Sequence, residues 1–133
     1  MIKRKFSNLI LIFTTLILEV LPYGAVCNFA NPEGEPWRRT YSYFDFVPFG
    51  YANFSPLITA LLTCINILLL VISLFFNKER LILIIRNMLI ISSLISLCPL
   101  ILGISYYSIV GLLITITLII NTLLIHFEYK KVR

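Results

Sequence analysis

Little in this sequence is charged. Asp, Glu, Lys and Arg make up 13% of it, where a soluble domain averages about 25%. Hydrophobic residues reach 59% and the mean hydropathy is +0.97. A water-exposed fold of 133 residues could not hide that much apolar surface, whereas a bilayer interior accepts it.

Other residue types are scarce as well. The three cysteines, Cys27, Cys64 and Cys98, show no CxxC spacing, which argues against a thiol oxidoreductase and gives no disulfide framework. A Cys27–Cys98 bridge is conceivable if the segment around Cys27 folds down over the helices; otherwise membrane cysteines serve as small apolar residues. The single histidine, His126, has no partners that suggest a metal site. The five glycines form no phosphate-cradling loop. No carboxylates are paired, and no nucleophile stands beside a base. The sequence therefore offers no catalytic residue, no metal site and no cofactor site.

What is present is four apolar runs, at about 6–21, 56–76, 81–104 and 106–127. Each approaches the roughly 20 residues that a helix needs to cross about 30 Å of hydrocarbon. Lipid leaves the backbone no partner but itself, so each run is expected to be α-helical despite many β-branched residues. The expectation is an all-α membrane protein: one domain over 1–133, a four-helix transmembrane bundle. The first run has the basic start of a signal peptide, but Tyr23 and Val26 stand where cleavage after Ala25 or before Cys27 would need small residues. It is read as a retained helix. Pro99 should kink the third helix by removing a backbone donor.

The formal charge of +5 sits in short clusters beside the apolar runs. Nucleic-acid binders spread such charge over a solvated face, so no nucleic-acid partner is expected. Lys3, Arg4, Lys5, Lys78, Arg80, Arg86, Lys130, Lys131 and Arg133 fall on one side of the four runs; only Arg38 and Arg39 fall on the other. By the positive-inside rule both termini are cytoplasmic. Asn77-Lys78-Glu79-Arg80 and the segment from Gly103 to Tyr106 are then tight turns.

The outer segment, about 22–55, is the only sizeable stretch expected outside the membrane and holds more than half of the aromatic residues. Asn31-Pro32-Glu33-Gly34-Glu35-Pro36 is dense in turn formers. It separates Ala25–Phe29 from Trp37–Phe44, where Trp37, Arg39, Tyr41 and Tyr43 alternate onto one face. A short extracellular antiparallel β-hairpin follows, and it must lean on helix ends because an isolated hairpin is marginal. Interfacial aromatics alone would account for this composition. Aromatics and Arg also dominate binding hot spots, which makes Trp37, Arg38, Arg39, Tyr41, Tyr43 and Phe49 a candidate partner-binding surface. Downstream, Ser55 is placed to cap the second helix, with Pro56 at its first position. Asn53-Phe54-Ser55 matches a glycosylation acceptor, but the adjacent Pro56 and the nearby membrane speak against use.

The runs Leu21-Pro22-Tyr23-Gly24-Ala25-Val26, Tyr41-Ser42-Tyr43-Phe44 and Pro48-Phe49-Gly50-Tyr51-Ala52-Asn53-Phe54 resemble a family of small, uncharacterised four-helix membrane proteins of Gram-positive, Clostridium-like bacteria. The resemblance covers the first two helices and the outer segment. It implies a bacterial plasma-membrane location and carries no activity or catalytic residue.

Glu19 is the only acid expected inside an apolar run, about one turn from the outer end of the first helix. Either it reaches interfacial water or bonds a neighbouring helix, or it forms a proton or cation site. Thr59 lies at matching depth as its donor, with Ser105 and Ser108 as other candidates. No second buried acid is expected. Thr59, Thr63, Asn66 and Ser73 share one face of the second helix. Ser92 and Ser96 mark the third; Ser108, Gly111, Thr115 and Thr122 mark the fourth. Such stripes are the usual packing seams of membrane helices. Glu19, Thr59, Thr63 and Asn66 form the candidate intramembrane polar site, and Asn121 is the further position of interest. The function expected first is an accessory protein that presents its outer loop to another membrane protein or to itself, with membrane lipids as neighbours. The alternative is a small oligomeric transporter or channel that uses Glu19 and the Thr63/Asn66 seam.

Overall fold

Backbone amides that cannot reach water must bond within their own segment, and the apolar runs do coil into helices. The computed structural model describes residues 2–76 and 78–133. In chain order the elements are α1 (Ile2–Val20), β1 (Ala25–Phe29), β2 (Trp37–Tyr41), α2 (Phe46–Gly50), α3 (Ser55–Phe75), α4 (Glu79–Ser96), α5 (Pro99–Leu102), a single 3₁₀ turn at Ile104–Tyr106, and α6 (Ile109–Val132). Among the described residues, three helical stretches are long and apolar enough to cross a membrane: α3, the stretch from Glu79 through Leu102, and α6. α1 is not one of the three; its 19 residues include Lys3, Arg4, Lys5 and Glu19.

The long helices pack in a ring. α1 touches α3 and α6, and α4 touches the same two. Their polarity is the reverse of a soluble bundle. α3 turns Leu61, Ile65, Leu68 and Ile72 outward and buries Thr59, Thr63, Asn66 and Ser73. α6 exposes Leu112, Ile116, Ile119 and Leu123 and buries Thr115, Asn121 and Glu128. Apolar outer faces need no protein partner in lipid, and inward hydroxyls and amides bond between helices, as membrane packing favours. The stripe foreseen on the second helix is thus the buried face of α3. Ser92 and Ser96 of α4 and Ser108, Gly111 and Thr115 of α6 are buried too.

Several boundaries differ from the sequence expectation. The first helix begins near the N-terminus at Ile2, and the last starts at Ile109, runs past 127 and ends at Val132. The third is broken, not merely kinked: Leu97 and Cys98 interrupt it before Pro99, and tighter bonds from Cys98 N to Ile95 O and from Leu100 N to Leu97 O carry the chain across. Proline cannot donate to the turn before it, so the break precedes its ring. Gly103, at φ 132°, then reverses the chain, a conformation that side-chain-bearing residues rarely adopt. The expected turn at 77–80 includes Asn77, which lies outside the described residues; Lys78 serves as N-cap of α4.

The hairpin forms as an antiparallel pair, with Phe29 opposite Trp37 and Ala25 opposite Tyr41. Asn31 holds its turn by accepting from the Glu33 amide at 3.1 Å and donating to Glu35 O at 3.3 Å. It leans on the helix ends. Ala25 also bridges to Tyr107, Ser108 Oγ donates to Gly24 O at 2.6 Å, and Asn53 Nδ2 donates to Val26 O at 3.3 Å. Ala25, Val26 and Cys27 are buried as a result. At the opposite end, Lys5 Nζ donates to Ser73 O, Asn8 Nδ2 donates to Glu128 Oε2 at 3.4 Å, and the Arg86 guanidinium lies 4.6 Å above the Tyr129 ring. The start of α1, the end of α3, the start of α4 and the end of α6 therefore meet, with most of the cations, away from the hairpin.

Candidate functional site

Two groups of residues stand out: one face of the hairpin and a buried carboxyl beneath it. On the hairpin, Trp37, Arg39 and Tyr41 alternate onto one face, and cross-strand pairing adds Phe29. With Ala30 they line a shallow cavity of about 280 Å³. Trp37 is 60% exposed. Arg38 points to the other face and donates to Tyr107 O at 3.4 Å.

Besides Arg38, two more of the six residues expected on this surface lie elsewhere. Tyr43 is 1% exposed. The strand ends at Tyr41, where Ser42 Oγ and the Tyr43 amide both donate to Glu19 O, at 3.0 and 2.9 Å. That pull turns the Tyr43 ring into the core. Burial, reinforced by the neighbouring Tyr107 and Glu19, raises its hydroxyl above the ordinary tyrosine range. Phe49 sits on α2, a short helix capped by Asp45, and packs edge-on against Phe54 at 4.8 Å. Phe29, which sequence reasoning passed over, joins the cavity and also meets Tyr51 edge-on at 4.9 Å. Only the strand register could have found it.

Asn53 is 3% exposed, so the glycosylation tripeptide is closed by packing. Ser55 does not cap α3; Phe54 holds the cap position, and Ser55 Oγ donates instead to Ile95 O of α4. Cys27, Cys64 and Cys98 are free thiols, and no Cys27–Cys98 bridge forms. Burial, with a smaller contribution from Asp45, pushes the Cys27 thiol up.

Beneath the hairpin, Glu19 is fully buried. Its Oε1 accepts from Thr63 Oγ1 at 2.8 Å, one turn deeper than the Thr59 foreseen as donor. Thr59 Oγ1 is buried with no hydrogen-bond partner, and so is Glu19 Oε2. Ser105 and Ser108 serve the hairpin: Ser105 Oγ accepts from Asn28, and Ser108 Oγ bonds Gly24 O. Deeper still, Asn66 Nδ2 donates to Ser92 Oγ at 3.2 Å and leaves its own Oδ1 unmet.

A second buried acid exists, against expectation. Glu128 is 2% exposed, faces Asn8, and shares that end of the interior with Asn121, whose Nδ2 donates to Asn8 O at 3.4 Å. α6 continues past 127, where the fourth run was expected to end, so Glu128 lies on its inward stripe with Asn121 and Ile125. The interior thus holds polar clusters near both ends, separated by Ile12, Leu70, Leu89 and Leu118.

No family model, curated protein or solved structure matches this chain.

Proposed function

We propose that the chain is a small accessory protein of a bacterial plasma membrane whose hairpin docks an extracytoplasmic segment of another membrane protein. Here α1 crosses the membrane with α3, α4 and α6, and both termini are cytoplasmic. Its tight packing against α3 and α6 supports the fourth span, as does the gathering of basic residues at one end. The bacterial setting rests on the resemblance noted in the sequence.

The observation that carries the docking role is Trp37, 60% exposed on a hairpin whose other strand is anchored by the buried Ala25, Val26 and Cys27. Arg39 and Tyr41 flank it, and Phe29 floors the cavity. Rigid aromatics beside an arginine are the composition of interface hot spots. A photocrosslinker placed at Trp37 or Tyr41 in living cells tests this. One discrete adduct is expected, weakened by Arg39→Glu and absent when the probe stands at Leu68 on the outer face of α3. The same diffuse adducts from both places would overturn the docking role.

A second function is favoured by the unmet oxygens of Glu19 and Thr59. Side chains of this kind inside membrane helices mark ion or proton pathways. In proteoliposomes, such a role requires cation or proton flux that Glu19→Gln abolishes. Absence of flux in the unaltered protein would dismiss it.

A further inference from the structure

The largest cavity among those described lies far from both sites, in the groove between the start of α1 and the end of α6. Its volume is about 400 Å³, within the ~300–1,000 Å³ of small-molecule pockets. Arg4, Ser7, Leu124, Phe127, Lys130 and Lys131 line it. Arg4 and Ser7 stand one turn apart on α1. Leu124 and Phe127 stand one turn apart on α6, and the two lysines occupy the turn that follows. The groove therefore runs from an apolar floor to a mouth bearing three cations and a hydroxyl. None of its lining residues is acidic. Glu128, the nearest acid along α6, turns into the bundle toward Asn8.

We propose that this groove binds one phospholipid with an anionic headgroup, from the leaflet at this end of the helices. The order of chemistry along the groove matches that of a lipid. Leu124 and Phe127 meet the upper acyl chain, Ser7 donates to glycerol or phosphate oxygen, and Arg4, Lys130 and Lys131 surround the phosphate. Basic pockets between membrane helices take acidic lipids in this manner. A zwitterionic headgroup would bring its own ammonium against three cations and bind less well. The apolar floor commits the occupant to a lipid in preference to free phosphate. This site is independent of the hairpin's partner.

A single tryptophan placed in the groove tests the proposal. The full-length protein carrying Trp37→Phe and Phe127→Trp is reconstituted in nanodiscs that mix phosphatidylcholine with phosphatidylglycerol, only one of which has brominated chains. Brominated phosphatidylglycerol should quench position 127 more strongly than brominated phosphatidylcholine at equal mole fraction. The preference should fall roughly fivefold for each cation removed by Arg4→Gln, Lys130→Gln or Lys131→Gln. Arg4→Lys should retain it, which separates lost charge from lost fold. A tryptophan at Leu68, on a face without cations, should show no preference. Equal quenching by the two lipids at 127, a preference unchanged by the three Gln substitutions, or displacement by millimolar inorganic phosphate would each overturn the proposal.

Discussion

Tyr43 rests against Gly24, where a side chain would leave no room, and against Gly111, where one would crowd it. A Cβ on Gly24 would stand 2.8 Å from the Tyr43 ring, and one on Gly111 would stand 3.3 Å from its hydroxyl. Proton binding at this buried layer makes stability depend on pH. Cys27 and Tyr43 keep their protons in the folded state above the ordinary values of 9.0 and 10.0. The unfolded chain gives them up at those values. The native state then holds more protons, so the stability these two groups contribute is fully present below about pH 8 and falls as pH rises through about 9 and 10. Unfolding midpoints measured in detergent across this range should show the decline, and Cys27→Ala with Tyr43→Phe should flatten it. Among the hydroxyls, Thr63→Val removes the bond to Glu19 and should cost about 0.6–2 kcal/mol, whereas Thr59→Val removes a buried hydroxyl that bonds nothing and should be neutral or stabilising. Equal effects of the two substitutions in detergent unfolding would contradict the bonding described. The sequence placed Thr59 and Thr63 on the correct face. It could not rank them, because depth depends on how α1 slides along α3, and no local pattern encodes that.

Among the elements, the hairpin shows most clearly what local sequence encodes and what it leaves to packing. Turn chemistry at 31–36 and the alternation after Trp37 located both strands. The end of β2 was not legible, because it is set by two bonds to Glu19 O, on a helix distant in sequence. Likewise α2 is too short to show a helical period, and Asp45 caps it. The burial of Glu128 was not legible for a related reason: whether the last turns of α6 face inward depends on its neighbours α1 and α4. Ser108 joins two elements at once. It caps α6 through the Gly111 amide at 2.8 Å and ties down Gly24 at 2.6 Å. Ser108→Ala should therefore cost more than the ~1 kcal/mol of an ordinary cap, and hydrogen exchange should quicken in β1 as well as in the first turn of α6. Exchange altered in α6 alone would show that the hairpin is held by other contacts.

For the whole molecule, the apolar outer surface, the polar interior and the two differently charged ends all follow from lipid as the surrounding medium. The apolar runs announced the helices because lipid solvation demands them whatever the tertiary arrangement. The polar clusters near both ends are a product of assembly; Glu19, the Thr59, Thr63 and Asn66 stripe and Asn121 marked them in the sequence, and Asn8 and Glu128 did not. The number of crossings rests on α1, the one long helix with a charged N-terminal turn and a buried acid. Cys27 is buried and therefore unsuited as a reporter of sidedness. New cysteines at Lys3, Glu33 and Arg133, each alone in a background without Cys27, Cys64 and Cys98, can be treated with a membrane-impermeant maleimide on intact cells. Four crossings predict that the cysteine at 33 reacts at once and those at 3 and 133 react only after permeabilisation. Reaction at 3 together with 33 in intact cells, while 133 stays protected, would mean that α1 does not cross and that the bundle has three spans.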